Sequence, residues 1–332
     1  MPGCTHCAHN PTNGGGSSIP VYRPPRPPLS GIFNIDKPAG MTSHDVVAAI
    51  RKAGKERRVG HAGTLDPMAT GVLLVAVGSA TRVIEYLQDG VKVYEGVVRL
   101  GLTTTTYDVE GEVTAQAGAE VVAALTRETV EAALAQFRGE IDQVPPMYSA
   151  LKREGRPLYE LAREGIEVER AARRVEISAL DIVAWNPPDV TLRATVSKGT
   201  YIRSLAYDLG QALGVGGTLA ALRRLAVGHL TIESAEPLDT IVDALKGDYW
   251  TQFIYPLDEA LMAFDACVVD RKTEEDIRQG RQVALPCELK TPLARAYNAA
   301  GEFIGLLKPD RVSGLWQPDK VFPRASRQEM SE

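Results

Sequence analysis

Six consecutive apolar residues, Val72-Leu73-Leu74-Val75-Ala76-Val77, leave no polar face, so this segment reads as a buried strand. The stretch before it has the opposite character. Gly60-His61-Ala62-Gly63-Thr64-Leu65-Asp66-Pro67-Met68-Ala69-Thr70-Gly71 is a loop of small residues, where a substrate can come close to the backbone. Pro67 pushes Asp66 out of the helical region, and the strand behind it gives the carboxylate a rigid support. The same local pattern also suits an Asx turn, in which Asp66 bonds only to its own backbone. The loop lacks both the Gly-Lys-Ser/Thr end of a P-loop and G-x-G-x-x-G spacing, so a nucleotide cradle is rejected.

Around this loop the chain alternates helical and strand patterns. Residues 1–28, with Gly14–Gly16 and Pro24, Pro25, Pro27 and Pro28, have too little apolar content for a core and read as a flexible arm. Gly31–Asp36 reads as a short strand stopped by Lys37-Pro38-Ala39-Gly40. Thr42 or Ser43 then caps a helix through Val46, Val47 and Ile50. Further strands are predicted at 91–100, 173–184 and 190–197, and helices near 128–137 and from about 203 to Leu213. Pro157 is placed at N1 of a short helix, and Leu219–Leu225 reads as the start of another. After Pro256-Leu257-Asp258, short alternating segments near 281–285, 294–298, 303–308 and 320–323 suggest a small β-barrel. The outline is α+β, and 332 residues at ~150 per domain suit two domains.

Charge restricts the partners. Lys+Arg is 37 against Asp+Glu 42, a net charge of −5, which excludes an indiscriminate polyanion binder. The basic residues are clustered, at Arg51–Arg58, Lys152–Arg156, Arg173-Arg174 and Arg223-Arg224. Eight acids lie between Asp108 and Asp142, against Arg127 and Arg138. No apolar run reaches the ~18 residues of a membrane helix, and no signal-peptide pattern opens the chain, so a cytoplasmic location is expected. Four cysteines are too few for a disulfide framework, so a reducing cytoplasm is expected. Cys4-Thr5-His6-Cys7 resembles half a zinc site without its second half, and Cys267 and Cys287 read as buried apolar residues with no partner.

Arg203 follows Ser197-Lys198-Gly199-Thr200 where a strand turns into a helix, and an Arg there suits pairing with a carboxylate from another loop. No Ser-His-Asp order, nucleophile elbow or metal cluster is present in the sequence pattern. The residues alone lead to carboxylate chemistry on RNA or another phosphate-bearing substrate, and no further.

Several segments together resemble the TruB family of bacterial tRNA pseudouridine-55 synthases. They are Gly31–Ser43, Gly60–Leu73, Lys92-Val93-Tyr94-Glu95-Gly96, Gln143–Lys152, Ser197–Arg203 and Leu222-Arg223-Arg224, in the family's order over about 30–258. The C-terminal texture, including Gly280-Arg281-Gln282-Val283, is similar to a PUA RNA-binding module. The resemblance implies an α+β pseudouridine synthase domain with a mixed, largely antiparallel central sheet at 29–257. A thumb-like insertion would fall at about 103–145, a PUA-like β-barrel at 258–332, and an arm at 1–28. It implies Asp66 as nucleophile, with Tyr94 and Arg203 in catalysis, on a base flipped out of the tRNA T-arm. Substrate-binding roles fall to His61, Leu222, Lys37, Tyr201, Lys152 and Arg223. No cofactor, no metal and no obligate protein partner are implied, and the chain is expected to be a monomer. A tRNA-folding chaperone with incidental catalysis, or a synthase for another RNA uridine, remains open at this point.

Overall fold

The computed structural model describes residues 28–149, 151–153 and 155–323. Its centre is an eleven-stranded mixed sheet. Strand β1 (Gly31–Lys37) pairs antiparallel with β3 (Thr70–Val77), which carries β2 (Val59–Ala62) along its other end. The path continues from β3 through β8 (Gly217–Val227), β4 (Lys92–Leu100), β7 (Asp189–Val196), β6 (Arg173–Asn186) and β5 (Gly139–Gln143). Two contacts are parallel: β3 with β8, and β1 with Glu236–Pro237.

The apolar run behaves as its composition requires. Leu73, Val75 and Val77 enter the larger core, while Val72, Leu74 and Ala76 enter a second core on the opposite face. Helix α1 (Ser43–Gly54) and helix α3 (Leu238–Gly247) cover the first face together, and Val46, Val47 and Ile50 point into it. Thr42 caps α1 through a capping box: its hydroxyl accepts from the Asp45 amide at 3.1 Å, and the Asp45 carboxylate accepts from the Thr42 amide at 2.9 Å. Helix α2 (Ile202–Ala212) packs on β8.

The sequence reading needs four corrections. Leu219–Leu225 is not a helix but the middle of β8, held by β4 on one side and β3 on the other. Pro157 caps the helix Leu158–Arg163 one residue earlier than the N1 position. Residues 281–285 form no strand, only a bridge between Val283 and Trp316. The C-terminal sheet is instead β9 (Asp265–Val268), β10 (Ala294–Tyr297), β11 (Phe303–Pro309) and β12 (Trp316–Val321), with α4 (Arg271–Arg278) after β9. Finally, Cys267 and Cys287 are not lone apolar residues. They form a disulfide, with Cα atoms 6.2 Å apart.

The N-terminal Cys/His cluster lies outside the described residues, as does the end of the C-terminal segment after 323. Among the described residues no helix is long and apolar enough to cross a membrane.

Candidate active site

The opening motif is the scaffold of the Asp66 loop. Lys37 is fully buried, and its ammonium donates to the carbonyls of Pro38 (2.8 Å), Pro67 (3.2 Å) and Ala69 (2.7 Å). Ser43 bonds both the amide and the carbonyl of Leu65, and the Gly40 amide donates to the Pro67 carbonyl at 2.9 Å. Gly71 closes the loop at φ +97°, where a Cβ would lie 2.2 Å from the Arg224 carbonyl oxygen of the adjoining strand. Asp66 is thereby fixed at the edge of a cleft of about 860 Å3 with its side chain one-third exposed.

Arg203 reaches Asp66 from the first turn of α2. Its Nε lies 2.9 Å from Asp66 Oδ2 and its Nη2 3.1 Å from Oδ1, the two-pronged geometry that suits a guanidinium and a carboxylate. The other donors go to Tyr148 O (2.7 Å), Thr106 O (3.2 Å) and Asp108 Oδ2 (3.3 Å). Asp108 is itself buried, and accepts from the Thr106 hydroxyl and the Glu110 amide. One buried guanidinium thus links two carboxylates. Burial pushes the Asp66 carboxyl above its ordinary value and Asp108 adds to the rise, while Arg203 opposes both.

Gln143 joins the other wall to this centre. Its side chain accepts from the Tyr201 amide at 2.8 Å and donates to the Tyr201 carbonyl at 3.1 Å, tying β5 to the start of α2. Tyr94 and Leu222 line the cleft from β4 and β8, and Tyr201 lines it from the turn before α2. Arg224 is buried beneath Tyr94: Nε donates to Val72 O (2.6 Å), Nη2 to Gly63 O (3.1 Å) and Nη1 to the Tyr94 hydroxyl (3.4 Å).

The structure therefore assembles Asp66, Tyr94, Arg203, Leu222 and Tyr201 around one cleft, although their chain positions span more than a hundred residues. Other candidates sit elsewhere. Lys37 points behind the loop and has no exposed surface. Arg223 lies off the cleft, paired with Asp36 at 2.8 Å, and its neighbour Arg224 takes the lining position because side chains alternate along β8. His61 is on β2 rather than in the loop, and it does not line the cleft. The Lys152 backbone begins a short hairpin with Arg156–Pro157, and its side chain is outside the described set. The sequence reading missed Asp108 and Arg224 as site residues. Asp108 was hidden in an acidic run, and Arg224 in an Arg-Arg pair.

The cleft thus brings an arginine-held carboxylate together with an aromatic and an aliphatic wall on an α+β sheet. The comparisons specify the class. Residues 51–202 match the model for the TruB family pseudouridylate synthase (N terminal domain), and residues 203–262 match that for the tRNA pseudouridylate synthase B C-terminal domain. The chain is 45% identical over 276 residues to tRNA pseudouridine synthase B of Ralstonia pickettii, covering 82% of this chain and 85% of that one. It is 40% identical over 298 residues to the enzyme of the same name from Dehalococcoides mccartyi, covering 90% and 98%. Among solved structures it is similar to a chain in an H/ACA RNP bound to a substrate RNA containing 2′-deoxyuridine, with TM-score 0.68, 26% identity, and coverage of 89% and 85%. A chain of a Cbf5-Nop10-Gar1 complex is similar with TM-score 0.68, 28% identity, and coverage of 88% and 84%. This is a pseudouridine synthase fold. The chain belongs to the TruB family.

Proposed function

We propose that this chain isomerises a uridine in the T-loop of tRNA to pseudouridine, with Asp66 as the nucleophile. The observation that carries the reading is the Asp66 carboxylate, clamped at both oxygens by a buried Arg203 and open to the cleft on its remaining side. The reaction is an isomerisation: the N1–C1′ bond breaks, the uracil turns, and a C5–C1′ bond forms as the C5 proton leaves and N1 gains one. Asp66 stabilises the detached sugar or the detached base, by attack on C1′ or on C6. Arg203 favours the ionised carboxylate and so opposes the burial that raises it.

The target base must leave its stack to reach Asp66. Tyr94 supplies a flat face for it and Leu222 an apolar floor, with Tyr201 on the opposite wall. The phenol of Tyr94 is also suited to take the C2′ proton if the path runs through a glycal. We assign residues 29–257 to the catalytic body, about 103–145 to a thumb-like grip on the RNA, and 258–332 to a PUA-like RNA-binding module. In this reading the enzyme works alone, as a cytoplasmic monomer on the tRNA T-arm.

The test is modification mapping of unmodified tRNA after incubation with the protein. Wild type is expected to form pseudouridine in the T-loop, and Asp66→Ala to bind tRNA without forming it. Full activity in Asp66→Ala overturns the assignment. Complementation of a deletion strain by Asp66→Ala favours a folding-chaperone role instead.

A further inference from the structure

The cleft holds two kinds of buried cation. Arg203 is matched by two carboxylates. Arg224 and Lys92 are not: among the described residues no carboxylate is in ion-pair contact with either. Arg224 is 1% exposed and Lys92 6%, and both line the cleft beside Tyr94. Lys92 and Tyr94 are two residues apart on β4 and so share a face, while Arg224 is the direct partner of Tyr94 across the β4–β8 pairing. The Lys92 ammonium has one donor committed, to the Gln88 carbonyl. Asp89 at the rim is taken by Lys198 at 2.9 Å.

These cations also bear on one another. Burial, then the charge of Arg224, pushes the Lys92 ammonium down to about 8. The same two causes lower His61, whose Nδ1 is buried with no hydrogen-bond partner. Grouping like charges in a buried place is unfavourable unless an anion joins them. Among the described residues the one carboxylate that acts favourably on Lys92 is Asp89, which is in ion-pair contact with Lys198 instead, whereas two carboxylates pair with Arg203 in the same cleft.

We propose that Lys92 and Arg224 form a seat for one backbone phosphate flanking the target uridine, so that the phosphodiester completes the charge pairing when the nucleotide enters. This rests on the uridine-in-RNA reading above. Seated there, the phosphate fixes the sugar while Tyr94, on the same face, meets the base. The seat thus positions the nucleotide for Asp66.

A T-arm stem-loop RNA with an uncharged methylphosphonate at either the 5′ or the 3′ linkage of the target uridine tests this. Affinities are measured in an Asp66→Asn background so that turnover does not intrude. Lys92→Met is expected to weaken binding of the all-phosphodiester RNA about tenfold. It should also reduce the slope of log affinity against log salt by about 1. With the methylphosphonate at one of the two linkages, Lys92→Met should cost little further affinity, so that the two losses do not multiply. Lys92→Arg, which keeps the charge, should retain the coupling, whereas a purely structural role gives no such rescue. Losses that multiply at both linkages overturn the seat. The wild-type protein leaving the all-phosphodiester RNA unmodified overturns the uridine reading instead, and the binding cycle still decides the seat.

Discussion

At the scale of single residues, the site turns on the balance between burial and charge at Asp66. Its position was legible in the sequence because Pro67 and the small residues around it mark an unusual loop. Asp108 was not, because it reaches Arg203 across 95 residues of chain and looks like one acid of an exposed run. The raised carboxyl of Asp66 has a stability consequence. Ionising it costs more in the folded chain than in the unfolded one, so stability falls as pH rises from the ordinary value of 3.8 through the folded value, and stays lowered above it. Asp66→Asn is uncharged throughout. It is expected to melt above wild type at pH 7, with the two melting curves converging as pH falls toward about 4. Equal melting temperatures at pH 7 would contradict the burial argument. Asp108 contributes to the same rise, so Asp108→Asn should lower the Asp66 carboxyl. The acidic limb of the rate profile for pseudouridine formation should then move to lower pH. A limb that moves to higher pH would show that Asp108 acts otherwise.

At the scale of elements, local pattern read most of the sheet and failed at β8. Leu219-Ala220-Ala221-Leu222-Arg223-Arg224-Leu225 consists of good helix formers, and nothing within the segment forbids a helix. Its partners decide the matter: β4 and β3 pair with it from either side, and strand geometry puts Leu222 and Arg224 on the cleft face with Arg223 turned away. The placement of Arg203 depends on the same strand, because α2 lies against it where two glycines touch. A Cβ on Gly210 would sit 1.9 Å from the Gly217 amide nitrogen. Gly210→Ala is expected to lose about 3 kcal/mol in urea unfolding, since backbone and not a flexible side chain must give way. It should lose turnover as well, because α2 carries Arg203. Gly118→Ala, with open space around its Cβ, is the control expected to change stability little.

At the scale of the whole molecule, the net charge of −5 and the use of cysteine were the most misleading totals, since each depends on where residues sit. Two acids, Asp66 and Asp108, pair with the buried Arg203, while among the described residues no carboxylate is in ion-pair contact with Lys92 or Arg224, which line the cleft. The C-terminal sheet is tied to the body by Lys320–Glu85 at 3.0 Å, by the Tyr86 hydroxyl on Asp319, and by Arg82 over the Phe322 ring. Its own core is small, built on Val269, Ile277, Val283, Ala294, Ala296 and a few neighbours, so a cross-link there matters more than in the main sheet. Cys267 and Cys287 are separated by 20 residues, and closing a loop of that length restricts the unfolded segment by about 3 kcal/mol. Hydrogen exchange reads this directly. With dithiothreitol, or in the double Cys→Ser variant, amides of β10 and β11 should lose protection by about that amount, while those of β3 and β4 keep theirs. Unchanged protection in β10 and β11 would mean that the Asp265 carboxylate, which binds the amides of Lys290 and Thr291, already holds the loop without the sulfur bridge.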